Sequence, residues 1–248
     1  MPLFLGFLVL TTIVLPMVTL SQAGRLALSL AFALMLILGA FATIRHRAAI
    51  CLVVGLTIVT FVVDLMSELS PSQGFTALDT ALKVVCLSIL FGMTLNRTLR
   101  PGRIDGYRVL GGIAGYLLIG LTWTFAYQLL VQQAPSAIHF EPDAAESLPR
   151  QPNHLMYFSF TTLTTVGFGD VLPVTPAARA LTVAEALVGQ LYIAILIASL
   201  VGMALQARSA EEDPQSPAQA DSSPRGLKPA LQLNDAAPGG DRYRLGSE

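Results

Sequence analysis

Charge is scarce in this chain: Asp, Glu, Lys and Arg make up only 12% of its 248 residues, about half the share usual for a soluble domain. Long stretches carry none at all, and the mean hydropathy is +0.63. This excludes an ordinary water-soluble globule and describes a multispanning membrane protein. Cysteine is nearly absent. Cys51 and Cys86 both sit in apolar stretches without a metal-ligand spacing, so neither a disulfide framework nor a zinc site is supported. The histidines, His46, His139 and His154, are scattered and suggest no metal centre. No Ser–His pair or paired Asp lies within the apolar segments, so a membrane enzyme is not expected. The net charge of −1 gives no reason to expect a nucleic-acid partner.

Apolar runs, in contrast, are plentiful. A bilayer core of about 30 Å needs roughly 20 apolar residues in a helix. The segments that meet this are Leu3 to Leu20, Leu26 to Ile44, Ala48 to Met66, Thr76 to Leu95, Val109 to Val131 and Ala178 to Leu205. The expected fold is therefore an all-α membrane protein with six transmembrane helices. Residues 3 to 20 lack a preceding basic residue and a clear small-x-small cleavage site, and read as a retained first helix. Asn153 to Thr165 is too short to span and too apolar for a free loop.

Basic residues orient the chain. Arg45 and Arg47, then Arg97, Arg100, Arg103 and Arg108, then Arg208 all fall on one side if each segment spans once. That side is expected to be cytoplasmic, with both termini inside. The opposite loops are poor in basic residues. Ser67 to Gly74 carries Glu68, and Gln132 to Pro152 carries Glu141, Asp143 and Glu146 against Arg150. The acidic loop either concentrates cations at an outer vestibule or is merely well solvated. From residue 207 to 248 Pro, Ala, Ser, Gln, Asp and Gly dominate without any period, which predicts a disordered tail and no soluble ligand domain.

The segment Thr164-Thr165-Val166-Gly167-Phe168-Gly169-Asp170 carries the chemistry. A cation entering a bilayer loses its water, and a row of backbone carbonyls pointing one way can replace those oxygens. In an ordinary strand carbonyls alternate. Gly167 and Gly169, interleaved with Val166 and Phe168, accept the backbone angles that align them. Thr165 adds a hydroxyl at the inner end, Val166 and Phe168 pack behind, and Asp170 closes the outer mouth. Asn153 to Thr164 forms a helix of about 18 Å, half a crossing, with Asn153 as N-cap after Pro152. Its C-terminal dipole places partial negative charge where the cation sheds water.

Met156 to Asp170, with Glu185-Ala186-Leu187-Val188-Gly189-Gln190 after it, resembles the pore helix, filter and inner helix of the potassium-channel superfamily. Residues 107 to 206 are similar to small prokaryotic six-helix subunits with a single pore loop. The resemblance implies potassium ions at Thr165, Val166, Gly167 and Phe168, a homotetramer, no cofactor beyond the permeant ion, and a multi-pass location in the plasma membrane. A weakly selective monovalent cation channel is the alternative. Two positions depart from the family: Phe168 stands where Tyr is common, and Tyr157 and Phe158 where many relatives have tryptophans. Loss of the ring hydroxyl puts filter rigidity in doubt, not the carbonyls.

The implied domains are a four-helix module at 1–100, in voltage-sensor position, a pore domain at 101–206 and the tail at 207–248. A voltage sensor needs basic residues at every third position of the fourth helix, and Thr76 to Leu95 has only Lys83. The channel is expected to be insensitive or weakly sensitive to voltage. Asp79, one turn from Lys83, and Asp64 are its candidate ion-pair partners, with a vestigial sensor as the other reading. Glu185 either accepts a hydrogen bond behind the filter, with Thr164 as a further support, or reaches the outer interface. Gly189 stands where the family usually has its hinge glycine; hinge is favoured over close packing there, and packing is favoured at Gly202.

Overall fold

A computed structural model describes residues 2–13, 22–43, 47–69, 72–99, 106–140 and 152–212. It is mostly helical. The helices are α1 (Pro2–Ile13), α2 (Gln22–Thr43), α3 (Arg47–Leu69), α4 (Gln73–Leu99), α5 (Gly106–Gln133), α6 (Pro152–Leu163) and α7 (Pro176–Glu212). Among the described residues four helices are long and apolar enough to cross a membrane: α3 over Ile50–Ser67, α4, α5, and α7 to Leu205. Pro2–Thr12 and Ser29–Ala42 are apolar but shorter. Residues 1–207 form one compact unit. The predicted tail differs at its start, where α7 continues to Glu212; residues 213–248 lie outside the described residues, as do Arg45, His46, Arg100, Arg103 and the acidic loop residues Glu141, Asp143 and Glu146.

Local chemistry sets the helix starts. The Ser72 side chain accepts a hydrogen bond from the Phe75 amide at 3.3 Å ahead of α4, and Thr175 does the same for Ala178 ahead of α7, with Pro176 in the first turn, where no amide is missed. Pro152 likewise opens α6, so Asn153 is inside the helix rather than at the expected N-cap. In the apolar helices the threonine hydroxyls return to the carbonyl four residues back, as Thr57 does to Val53, Thr94 to Leu90 and Thr124 to Gly120. A hydroxyl at membrane depth is thereby satisfied without water.

The core of this unit joins α1, α2, α4 and α5. Phe4 and Leu8 pack with Met35 and Leu36, Leu87 and Leu90, and Ala114, Leu118 and Leu121. Cys86 is buried there, 3.4 Å from the Thr60 hydroxyl, while Cys51 is exposed; both are free thiols. α4 extends past the expected end at Leu95 to Leu99, so Arg97 lies in its last turn rather than beyond it. There its charge complements the helix C-terminus, and its guanidinium donates to the Ala42 carbonyl of α2.

Two short strands were not foreseen. β1 (Ile138–Phe140) pairs antiparallel with β2 (Val171–Pro173), Ile138 opposite Pro173 and Phe140 opposite Val171. Three residues per strand leave no alternation to read in the sequence. The ribbon ties the chain before α6 to the chain just after Asp170, so the segment between them leaves and returns at the same place.

Candidate functional site

α6 ends at Leu163, and the backbone turns back at once. The Thr164 amide donates to Phe160 O at 3.0 Å and the Thr165 amide to Thr162 O at 2.9 Å. The Val166 and Gly167 amides both donate to Thr161 O, at 2.9 and 3.2 Å. The amides of residues 164–167 thus face the last turn of α6 and consume its free carbonyls. Along the same stretch φ is positive at Thr165 (59°), Gly167 (54°) and Gly169 (85°). Val166 and Phe168, between them, are not in that region. This alternation of hand sets the stretch apart from a regular strand, whose residues all share one hand. Glycine adopts such angles freely. A β-branched threonine does not, so Thr165 is held there by its surroundings; sequence reasoning had found the glycines and missed this third position, because threonine gives no signal for it.

The side chains behind the loop come mainly from α6. The Tyr157 ring stacks on Phe168 with centroids 6.1 Å apart and planes 6° apart. The Asp170 carboxylate is near enough to the Tyr157 hydroxyl to disfavour the phenolate. One tyrosine therefore packs on the aromatic side chain of the loop and neighbours its last acidic residue. Thr164 Oγ1 donates to Phe160 O at 2.7 Å, which closes the end of α6.

Glu185 of α7 is fully buried. Its Oε1 is 2.5 Å from the Ser159 hydroxyl of α6, and its Oε2 accepts from the Tyr127 hydroxyl of α5 at 2.6 Å. Ser159 also lies 2.8 Å from Gly120 O. Three helices meet at one carboxyl group, and a buried polar cluster of this kind holds its members in one arrangement. Ser159 and Tyr127 were not singled out from sequence; the pairs are 26 and 58 residues apart, beyond any local pattern.

Gly189 sits against the end of α6. A Cβ there would come 2.8 Å from the backbone oxygen of Leu163 and 2.8 Å from its Cδ1. The same carbonyl accepts from the Tyr116 hydroxyl at 3.1 Å. Close packing is therefore what the geometry at Gly189 displays, while at Gly202 a Cβ would meet nothing within 4 Å in this chain. α7 also docks on glycines of α5: the Tyr192 hydroxyl covers Gly115 and donates to Gly112 O at 2.7 Å, and Leu196 covers Gly112.

Lys83 is held on both sides. Its Nζ is 2.8 Å from Asp64 Oδ1 and 2.6 Å from Asp79 Oδ2. It also lies 5.9 Å from the ring centres of Phe32 and Phe125. Among the described residues no group of His, Cys, Asp and Glu could hold a metal ion.

Residues 138–206 match the family model described as ion channel. Over 93 residues the chain is 29% identical to the two pore potassium channel c of Oryza sativa subsp. japonica, a match covering 38% of this chain and 18% of that protein. The chain thus spans less than a fifth of that relative's length. No solved structure matches. The matched region contains the loop, its ribbon, α6 and most of α7.

Proposed function

From a chain of the potassium channel superfamily, with its ion channel domain at residues 138–206, we propose a potassium-selective pore built by four copies around one axis. It is a membrane-embedded channel and not an enzyme. In this reading the six apolar runs of the sequence each cross the bilayer, α6 enters halfway, and Thr165 to Gly169 return as the filter. The observation that carries it is the alternation of positive φ at Thr165, Gly167 and Gly169, with the amides of Val166 and Gly167 tied back to Thr161 O.

The mechanism follows from those angles. A potassium ion leaving water needs a ring of oxygens at each step along the axis. Each copy contributes the carbonyls of Thr165, Val166, Gly167 and Phe168 and the Thr165 hydroxyl. Since the amides of residues 164–167 already donate to α6, they do not compete with the ion for those carbonyls. Adjacent rings bind the ion without holding it, and conduction is passive. The C-terminal end of α6 adds a partial negative charge where the ion sheds its shell.

Exposure in the single chain supports the tetramer. Val166 and Phe168 are 54% and 69% exposed. α7 exposes Val183, Leu187, Leu191 and Ile195, one residue per turn along a single face. That face would meet the neighbouring copies and line the inner pore. The arginines at the ends of α2, α4 and α7 favour a cytoplasmic location for both termini. With Lys83 locked between two carboxylates, residues 1–100 act as a scaffold rather than a voltage sensor.

The test is flux from liposomes. Vesicles loaded with potassium and holding the purified full chain should release it when a protonophore balances charge, and sodium-loaded vesicles should not. Equal release of both ions would favour the weakly selective reading and refute this one. Release from neither, with the tetramer intact and voltage, pH and lipid varied, would refute conduction itself.

A further inference from the structure

The last four carbonyls of α6 have no partner amide within the helix, and each needs a donor from elsewhere. Phe160 O takes the amide and hydroxyl of Thr164, Thr161 O the amides of Val166 and Gly167, and Thr162 O the amide of Thr165. The returning loop thus serves all of them except Leu163 O. The amide four residues after Leu163 is that of Gly167, and it is committed to Thr161 O at 3.2 Å. The donor that Leu163 O does have comes from another helix. It is the Tyr116 hydroxyl of α5, 3.1 Å away and 47 residues earlier in the chain.

That hydroxyl is aimed by its surroundings. The Tyr116 ring stacks on Tyr192 of α7, with centroids 6.1 Å apart and planes 29° apart. Tyr192 is itself buried and fixed. Its hydroxyl donates to Gly112 O at 2.7 Å, and the Phe91 ring of α4 lies 5.9 Å from its own. Gly189 of α7 closes on the same oxygen of Leu163, where a Cβ would stand 2.8 Å away. The Leu163 side chain is fully buried. Its carbonyl is therefore held by a hydrogen bond from α5 and a backbone contact from α7.

The peptide that carries this oxygen joins α6 to the loop. Rotating it changes ψ of Leu163 and φ of Thr164, and the chain beyond swings with it. Thr165 comes next, at a φ of 59°, which a β-branched residue does not adopt unaided. We infer that Tyr116 is a positioning residue for the inner end of the loop. Its hydroxyl fixes the Leu163–Thr164 peptide and so sets the direction of the Thr165 carbonyl and hydroxyl. The inference rests on the reading of Thr165 to Gly169 as a filter, in which those two oxygens meet the ion at its inner end. One neutral hydrogen bond contributes little to stability. A ring of oxygens repeated in every copy is more sensitive, because the same small rotation in each copy displaces the whole ring.

The test deletes one hydroxyl at a time from the two stacked tyrosines of the full chain. Tyr116→Phe keeps the ring and removes the donor to Leu163 O. Tyr192→Phe keeps its ring too and removes the bond to Gly112 O, which ties α7 to α5 without touching the loop. Bi-ionic reversal potentials in planar bilayers give the potassium-to-sodium permeability ratio, and thermal unfolding is followed alongside. Both variants should unfold at slightly lower temperature than the parent. Only Tyr116→Phe should lose selectivity, its permeability ratio falling several-fold while Tyr192→Phe keeps that of the parent. A selective parent with an equally selective Tyr116→Phe would overturn the inference and leave the filter reading intact. So would an equal fall in both variants, which would mark a general loosening of α5 against α7. A parent that does not discriminate would refute the filter reading itself, and the inference with it. If Tyr116→Phe does not assemble, tetramers containing one altered chain are compared with the parent by the same measurement, and an unchanged ratio there overturns the inference.

Discussion

Ser159 on α6 and Glu185 on α7 stand 2.5 Å apart, oxygen to oxygen, in a fully buried position. The helix that ends at the Thr165–Gly169 loop is thereby attached to the helix that follows it, and through Tyr127 to α5 as well. Replacing Glu185 by Ala should open a cavity and remove the short bond of the Tyr127 hydroxyl, while Ser159 keeps Gly120 O as its acceptor, at a cost of about 2–4 kcal/mol. The expected result is a tetramer that dissociates at lower temperature and a pore that closes or inactivates sooner. Glu185→Gln, which preserves shape, should fall between. Unfolding curves and single-channel open times of both variants check this.

Gly167 needs a φ of +54°, although a Cβ there would touch nothing within 4 Å of its own chain. The cost of Gly167→Ala is therefore one of backbone angle, about 1 kcal/mol or more in each subunit. The filter should relax toward ordinary angles and turn its carbonyls from the axis. Potassium conductance should be lost while the tetramer still assembles, a pair of results that flux and size-exclusion measurements can read together.

Tyr157 serves two partners, and conservative changes separate them. Tyr157→Phe preserves the stack on Phe168 and removes the hydroxyl that neighbours Asp170. The outer mouth should loosen, and inactivation should quicken several-fold in macroscopic currents. Phe168→Tyr should leave selectivity unchanged if, as proposed, the carbonyls and not the ring contact the ion.

Lys83 is part-buried between two carboxylates, its side chain 14% exposed, and removing it leaves both uncompensated. Lys83→Gln should destabilise the protein by about 3–5 kcal/mol. The conductance–voltage relation of whatever protein survives should be unchanged. A parent conductance that rises many-fold over a few tens of millivolts, and a variant that loses this, would instead make Lys83 a gating charge.

Gly189 packs on the Leu163 carbonyl, so Gly189→Ala should push the end of α6 and cost about 1–3 kcal/mol. A hinge predicts a different result, normal stability with altered opening, and thermal unfolding distinguishes them.

Much of this was legible in the sequence because its signals are local. Apolar length marked the helices, the half-length helix stood out before the loop, and Lys83 lay one turn from Asp79. Gly167 and Gly169 announced the unusual backbone directly. What escaped depends on contacts distant along the chain or on residues that look ordinary. Thr165 has the same backbone hand as the glycines but no compositional mark. β1 and β2 are too short to alternate. Tyr127, Ser159 and Tyr192 find their partners only when α5, α6 and α7 are side by side. The Gly112 and Gly115 surface on α5 makes sense only once Leu196 and Tyr192 rest on it.

The central claim is that Thr165 to Gly169 form a potassium-selective filter. It is tested most directly by the reversal potential of the purified chain in a planar bilayer, with potassium on one side and sodium on the other. The account predicts a value near the potassium equilibrium potential. A value near zero would contradict it and make this a non-selective cation pore.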